Sequence, residues 1–372
     1  MKTALAHEWL VSMGGSENVV ACFKDLYPEA PIYTTACDLD KLDPIFAGYE
    51  IRTSFLQRFP HTGGRHRWQL PLMPYAWEQF DFTGYDLVLS SHHCCAKGLI
   101  TPADTLHICY CHTPMRYAWD AWTEYRQQLS GGRLKKAAMS MVMHGIRTWD
   151  AVSAQRVDYF IANSENVARR IRKHYRREAV VIPGPIQANF FNISGRDEEY
   201  YLIVSRLVPY KKIDLAIHAF NALRLPLVII GTGPQLGYLQ SIAGDTVKIL
   251  GWQPRDVLKT YYAGCRAFLF PGEEDMGVTH LEANACGRPV IAYAKGGVPE
   301  TVLEGETGIL FPEQTVNSLA EAVLRFSGQS FDKERIRAHA VQFDESVFKQ
   351  RISRFVNERF ADFQKEGHLC RE

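Results

Sequence analysis

The chain of 372 residues is 46% hydrophobic and 22% charged, with a formal net charge of +1. That balance excludes a disordered or low-complexity chain and supplies no basic field for nucleic acid. The length exceeds what one core usually takes, so two domains are expected, and no apolar run approaches the roughly 20 residues that cross a bilayer.

Short apolar runs alternate with amphipathic stretches almost throughout, which predicts an α/β chain of mainly parallel sheets. The opening MKTALAHEWLVSMGG has the outline of a leader, but His7 and Glu8 interrupt it, and it reads as a buried first strand over Thr3 to His7. In MGGSENV, Gly14 and Gly15 start a helix, which suits backbone contact with a phosphate or sugar as well as a plain strand-to-helix turn. Further strands are expected at Pro31 to Thr35, Ile51 to Phe55, Asp86 to Ser90, Leu106 to Cys111 and Tyr159 to Ala162, with Val180 to Ile182 closing the domain. Phe55 to Phe82 is aromatic and basic at once, fitting an apolar groove for a polyprenyl-linked acceptor or a loop stack over the core. His92 to Cys95 read HHCC, but neighbours in an extended segment point to opposite sides, so packing rather than metal binding is expected there. Nine cysteines without a paired zinc spacing read as reduced thiols of a cytosolic protein, which leaves the sequon at Asn192 without meaning.

In ICYCHTPMRYAWD, His112 ends a buried strand, and Arg116, Tyr117, Trp119 and Asp120 offer a cation, aromatic platforms and a carboxylate suited to sugar recognition. Asn163 and Ser164 end YFIANS as a second polar pair at a strand end. GGRLKKAAMSMVMHGIRTW and ARRIRKHYRR set Arg and Lys beside apolar residues; such faces rest on anionic lipid or stand as solvated basic helices. These elements place a first domain over 1–185, followed by a linker over 186–199, where Pro, Gly and charge lack periodicity.

A second series covers 200–343: YYLIVS, PLVIIG, VKILGW, AFLFP, PVIAYA and TGILFP, with helical spacing at Ile213 to Leu223, Pro234 to Ile242, Arg255 to Gly264 and Val316 to Phe326. It opens with SRLVPYKKIDLAI, in which Arg206 ends a strand and Lys211 precedes a helix, with Lys212 beside it. A fixed Arg/Lys pair at that edge stabilises a departing diphosphate without moving a proton. Gly231 and Gly233 in IIGTGP permit close backbone approach, and LGWQPRD sets Trp252 either beside a base or in ordinary packing. The last segment, 344–372, carries a helix with apolar positions from Val347 to Phe363.

PGEEDMGVTHLEANACGRPVIAYAKGGVPETV is the most informative stretch. It holds Glu274 and Glu282 with seven residues between them, a turn at Gly277, and a helical segment from Leu281 to Cys286. A loop entering a helix gathers unpaired N–H groups that attract phosphate, while flanking carboxylates accept bonds from sugar or ribose hydroxyls. That is a donor-site layout for a nucleotide sugar.

With HEWL…GGSE, TSFLQR, LPLMP, EQFD, CYCHTPMRYAWD, YFIANS and VSRLVPYKK, this region covers most of the chain and resembles the retaining GT-B glycosyltransferases of family 4. Within them it is similar to bacterial mannosyltransferases that build O-antigen or exopolysaccharide repeats. The resemblance implies two doubly wound Rossmann-like domains facing a cleft, with the terminal helix crossing back to the first. It implies Glu274 on the transferred sugar, Glu282 on the ribose, and the backbone from Met276 to Thr279, with Gly277, Val278 and Thr279, at the diphosphate, with Arg206 and Lys211 matching the R-L-x-x-x-K pattern. Gly14, Gly15 and Gly231 join the donor site, His112 positions the donor sugar, and Arg116, Tyr117, Trp119 and Asp120 face the acceptor. Met276 stands where the family has phenylalanine, implying a softer apolar wall to the sugar pocket. The expected reaction moves mannose from GDP-mannose to a polyprenyl-diphosphate-linked saccharide, without metal or cofactor, in the cytoplasm or on the inner face of the cytoplasmic membrane. A transferase for a UDP- or other nucleotide sugar, a sugar-nucleotide epimerase and a non-catalytic sugar-nucleotide-binding subunit are the other readings.

Overall fold

The computed structural model describes residues 1–60, 68–128 and 132–369; part of the aromatic and basic stretch, 61–67, lies outside them. Two compact units are present, one formed by Met1–Pro183 with the segment from Lys349 onward, the other by Gly184–Phe348.

The first unit has seven parallel strands: β1 (Thr3–His7), β2 (Ile32–Thr34), β3 (Ile51–Thr53), β4 (Leu87–His92), β5 (Leu106–Cys111), β6 (Tyr159–Ala162) and β7 (Ala179–Val181). Their order is β3-β2-β1-β4-β5-β6-β7, so the winding reverses between β1 and β4. Every residue of β1, β4 and β5 is buried, the signature of parallel strands covered on both faces, which is why they read as unbroken apolar runs. β4 runs two residues beyond the Ser90 expected, through Ser91 and His92, because polar side chains there find buried partners. The helices are α1 (Gly15–Leu26), α2 (Met73–Glu78), α3 (Trp122–Gln128), α4 (Arg133–Ser153) and α5 (Glu165–Tyr175). Ser164 caps α5, its hydroxyl accepting from the Val167 N–H at 3.1 Å, which answers one of the unpaired donors of a helix start.

The second unit has six parallel strands: β8 (Tyr201–Val204), β9 (Leu227–Ile230), β10 (Val247–Ile249), β11 (Ala267–Phe270), β12 (Val290–Tyr293) and β13 (Gly308–Phe311), ordered β10-β9-β8-β11-β12-β13. Alternate residues feed two cores: Tyr201, Ile203, Ala267, Leu269 and Ile291 on one face, Leu202, Phe268, Phe270, Val290 and Ala292 on the other. Its helices are α6 (Ile213–Leu223), α7 (Leu236–Ile242), α8 (Arg255–Gly264), α9 (Thr279–Ala285), α10 (Val316–Ser327) and α11 (Lys333–Val341). The stretch read as a linker is part of this unit. Ile186, Ala188 and Phe191 are buried in its core, and the Ile186 N–H donates to the Phe343 carbonyl at 2.9 Å. Isolated apolar anchors at irregular spacing produce no periodicity, which is why the segment reads as loose.

From Lys349 onward the terminal helix, α12 (Glu345–Leu369), is part of the first unit. Lys349 Nζ lies 3.0 Å from Asp25 Oδ2, Phe355 packs edge-on against Tyr159 at 6.3 Å, and the Arg359 guanidinium covers the same ring at 5.4 Å. No helix among the described residues is long and apolar enough to cross a membrane.

Candidate functional site

In the second unit the winding reverses between β8 and β11, and ligands of open parallel sheets bind outside the carboxyl ends of strands at such a point. The loops leaving β8 and β11 carry Arg206, Lys211 and Glu274 to that edge. Lys211 Nζ stands 2.6 Å from Glu274 Oε1, both side chains about one-fifth exposed. Lys211 also lies over the Phe270 ring at 5.8 Å, which narrows the directions its ammonium can take. Arg206 is exposed, its Nη2 3.2 Å from the Tyr210 hydroxyl.

These loops are held by backbone contact. A side chain at Gly231 would lie 1.8 Å from the Ser205 carbonyl oxygen, and one at Gly296 would lie 2.1 Å from that of Glu274. Only glycine fits at either place, since real Cβ contacts never come so close. Gly296 and Gly297 were not singled out in the sequence, although a Gly-Gly pair after a strand is itself a signal of close approach. The Gly297 N–H donates to the Glu274 carbonyl at 2.8 Å and so fixes the backbone that carries this carboxylate.

Gly277 turns with φ of 82° into α9, whose first turn, with Val278 and Thr279, has no side-chain cap. Glu282 lies on α9, and the Tyr262 hydroxyl donates to its Oε2 at 2.8 Å. Burial raises the Glu282 pKa, and the Tyr262 bond and the Arg255 charge offset only part of that rise. His280 is wholly buried; burial lowers its pKa to about 3, and the neutral ring gives its Nε2–H to Thr301 Oγ1 at 2.7 Å, tying α9 to the turn after Gly297. Neither Tyr262 nor His280 was foreseen, because their partners lie on other elements.

Two expectations change here. Met276 is 4% exposed and its Sδ accepts the Gly184 N–H at 3.0 Å, so it packs into the core instead of forming an open pocket wall. Trp252 is 72% exposed, which removes the packing alternative.

In the first unit, His112 is the first residue beyond β5. Its N–H donates to the His92 carbonyl at 2.8 Å, its own carbonyl accepts from Asn163 Nδ2 at 3.0 Å, and its Nε2 lies 2.8 Å from Ser91 Oγ. Burial leads the causes that hold its pKa well below the usual imidazole range, so the ring is neutral. Glu8, also unforeseen, is wholly buried and accepts N–H bonds of 2.7–3.1 Å from His93, Cys94, Cys95 and Ala96, with His92 Nδ1 at 3.1 Å. Burial pushes its pKa up, but these partners outweigh it and hold the carboxyl well below its ordinary range. Gly14 is extended and precedes α1; the Glu17 carboxylate reaches back beside it, where a Cβ would meet Oε2 at 3.0 Å.

The four residues read as acceptor contacts already have partners within the protein. The Tyr117 hydroxyl lies 2.7 Å from Cys94 Sγ, and burial drives its pKa well up. Trp119 Nε1 donates to Asp150 Oδ2 at 2.7 Å, and its ring stacks on His174 at 4.7 Å. Asp120 is held by His174 at 3.2 Å and Arg170 at 3.3 Å, which lower its pKa, and the Arg116 charge acts in the same direction. Tyr117 and Trp119 are thus anchored in the protein, and of the four only Asp120 is exposed.

Family comparison accounts for both halves. The model of Glycosyltransferase Family 4 matches residues 14–190, and that of Glycosyl transferases group 1 matches 187–342. The chain belongs to this glycosyltransferase family. Among its relatives, the "GDP-mannose-dependent alpha-(1-6)-phosphatidylinositol monomannoside mannosyltransferase" of Mycolicibacterium smegmatis is 36% identical over 34% of this chain and 38% of its own length. The protein of that description from Mycobacterium tuberculosis is 33% identical over 45% of this chain and 48% of its own. The Amylovoran biosynthesis glycosyltransferase AmsK of Erwinia amylovora is 29% identical over 45% and 46%. The chain thus spans less than half the length of each of these relatives. Alr3699/HepE of Anabaena, solved with UDP, superposes with a TM-score of 0.71 at 16% identity, covering 96% of this chain and 100% of that one. Sucrose-phosphate synthase of Thermosynechococcus elongatus gives 0.74 at 19% identity over 97% and 100%. The fold is GT-B.

Proposed function

We propose that this glycosyltransferase moves mannose from GDP-mannose, with retention of anomeric configuration, to a polyprenyl-diphosphate-linked saccharide in cell-surface polysaccharide synthesis. The observation that carries the donor site is the Lys211–Glu274 pair beside Arg206 at the switch point of the second sheet. An arriving diphosphate competes with Glu274 for Lys211, and with Arg206 it gains two fixed cations where charge develops on the leaving group. Glu274, released from Lys211, becomes an acceptor for hydroxyls of the transferred sugar. Glu282, braced by Tyr262, takes the ribose, and His112 orients the sugar. The acceptor hydroxyl attacks from the face that the diphosphate leaves. With two cations on the diphosphate, departure needs no metal, so turnover is expected to be unchanged in a chelator.

The GDP-mannose assignment is supported by the relatives that share 36% and 33% identity, whose names specify that donor. A lipid-linked acceptor is supported by α4, where exposed Leu134, Met141 and Val152 run beside Arg133, Lys135 and Lys136, a face suited to anionic lipid.

The test is a thermal-shift panel of GDP-, UDP-, ADP- and dTDP-sugars. Ligand at a hundred times its Kd stabilises by about 2.7 kcal/mol, so selective stabilisation by GDP-mannose is the expected outcome. Preference for another nucleotide sugar would overturn the mannose assignment, and silence toward all of them would overturn the donor site.

A further inference from the structure

A hydrogen-bonded chain crosses the carboxyl edge of the first sheet, and each of its members stands on a different element. Glu17 Oε1, in the first turn of α1, lies 3.3 Å from Nε2 of His7, the last residue of β1. Nδ1 of His7 is 3.1 Å from Oγ of Ser91, its register partner on β4. Ser91 Oγ is in turn 2.8 Å from Nε2 of His112, just beyond β5. His7 and Ser91 are wholly buried and Glu17 is 5% exposed. β1 and β4 are also the strands between which the winding reverses.

Counting protons fixes the direction of these bonds. Burial raises the Glu17 pKa, but the hydrogen bond from His7 leads the causes that outweigh it, so the carboxylate is ionised and can only accept. It therefore takes the Nε2–H of His7; with that as the ring's one proton, Nδ1 is bare. Ser91 has one proton to give and gives it to that nitrogen. Its lone pair then accepts the Nε2–H of His112. Nδ1 of the neutral His112 is left bare, and it makes no hydrogen bond among the described residues.

We propose that Glu17, His7 and Ser91 form a positioning relay that locks His112 in its Nε2–H tautomer and presents Nδ1 as an acceptor to a hydroxyl of the transferred sugar. This rests on the reading that His112 orients the donor sugar. The relay has one alternative polarity. If His7 carries its neutral proton on Nδ1, or both nitrogens are protonated, Ser91 donates to His112 instead, and the His112 proton moves to Nδ1. An acceptor for the sugar then becomes a donor. The ionisable neighbours of His7 are Glu17 on α1, His93 after β4 with its ring 6.1 Å away, and His112; Glu8 and His92 act on His93 and His112 in turn.

The test reads the tautomer directly. Long-range 1H–15N spectra of the 15N-labelled full chain, with His112→Asn to assign the signals, should show His112 protonated at Nε2 alone. Ser91→Ala should leave a mixture of tautomers. Glu17→Gln puts a carboxamide that can donate to His7 Nε2, and should shift His112 toward Nδ1–H. In the Ser91→Ala background the same change should have no effect on His112. Turnover of GDP-mannose should fall roughly 10- to 100-fold in kcat for either single variant, with donor KM within about threefold. Ser91→Thr, which keeps the hydroxyl, should restore both tautomer and rate. Melting curves of each variant separate these effects from loss of fold. A wild-type His112 protonated at Nδ1, or a His112 spectrum indifferent to both variants, would overturn the relay. A wild-type chain inert toward every nucleotide sugar would instead overturn the role of His112 in transfer, while the spectra still decide the tautomer.

Discussion

The two parallel sheets present their carboxyl edges in opposite electrostatic styles. At the second, Arg206 is exposed, and Lys211 and Glu274 pair at 2.6 Å with about one-fifth of each side chain exposed, which on the proposed donor reading leaves their charges open to a diphosphate. At the first, the charges are already answered inside the protein. Glu8 sits in four backbone N–H groups, Glu17 holds His7, and Lys97 and Asp150, neither exposed, lie 2.8 Å apart with Tyr175 and Trp119 completing the carboxylate's bonds. Similar winding therefore yields one edge whose charges stay partly open to solvent and another whose charges are closed off inside the protein.

Substitutions should separate the two styles. The largest effect is expected from Asp150→Ala, which leaves the Lys97 ammonium buried without its counter-charge and should cost about 3–5 kcal/mol in denaturant unfolding. A cost below about 1 kcal/mol would show that the first edge is less dependent on its buried pairs than the geometry implies. Arg206→Ala should do the reverse: stability within about 0.5 kcal/mol of wild type, but roughly a 100- to 1,000-fold loss in kcat/KM. Normal turnover in that variant would remove the diphosphate role assigned to the second edge.

Acid should also act unequally. His93 is held by burial at about 4 and His107 at about 3 in the first unit, against His280 at about 3 in the second. A histidine whose folded pKa lies below its unfolded value of 6.5 contributes stability that is present above pH 6.5 and lost as pH falls through the folded value. Glu8 and Glu17, also depressed, add losses below pH 4.5. Hydrogen exchange from pH 7 to 4 should therefore show β1, β4 and β5 losing protection before β8, β11 and β12; the opposite order would contradict this account. The smallest effect is expected from Tyr262→Phe, which removes one neutral donor from Glu282 and should raise the donor KM about three- to tenfold, with kcat little changed.

Much of this was legible in the sequence because parallel strands buried on both faces are continuous apolar runs. Thr3 to His7, Leu106 to Cys111 and Tyr159 to Ala162 stand as read, and so do the helices Ile213 to Leu223 and Arg255 to Gly264. α11 was not foreseen: its apolar stripe is short, with only Ile336 and Ala340 buried. The approach of Lys211 to Glu274 follows from two motifs in adjacent strand loops, each visible locally. The relay was invisible for a different reason. His7 and Ser91 are 84 positions apart and become register partners only once the sheet is wound. Trp119 shows the same limit from another side, since sequence gives the chemical type of an indole but not the Asp150 that satisfies it.

Glu8 has a consequence for how the first unit can be altered. Its carboxylate acts as a permanent internal occupant of the turn after β4, supplying the negative charge that four converging amides attract. Shortened to alanine, that position becomes a vacant receptor with its donors already aimed, and formate or acetate should refill it. The chain would then be stabilised in proportion to the concentration of a small carboxylate, a chemically addressable version of a fold that normally carries its own anion.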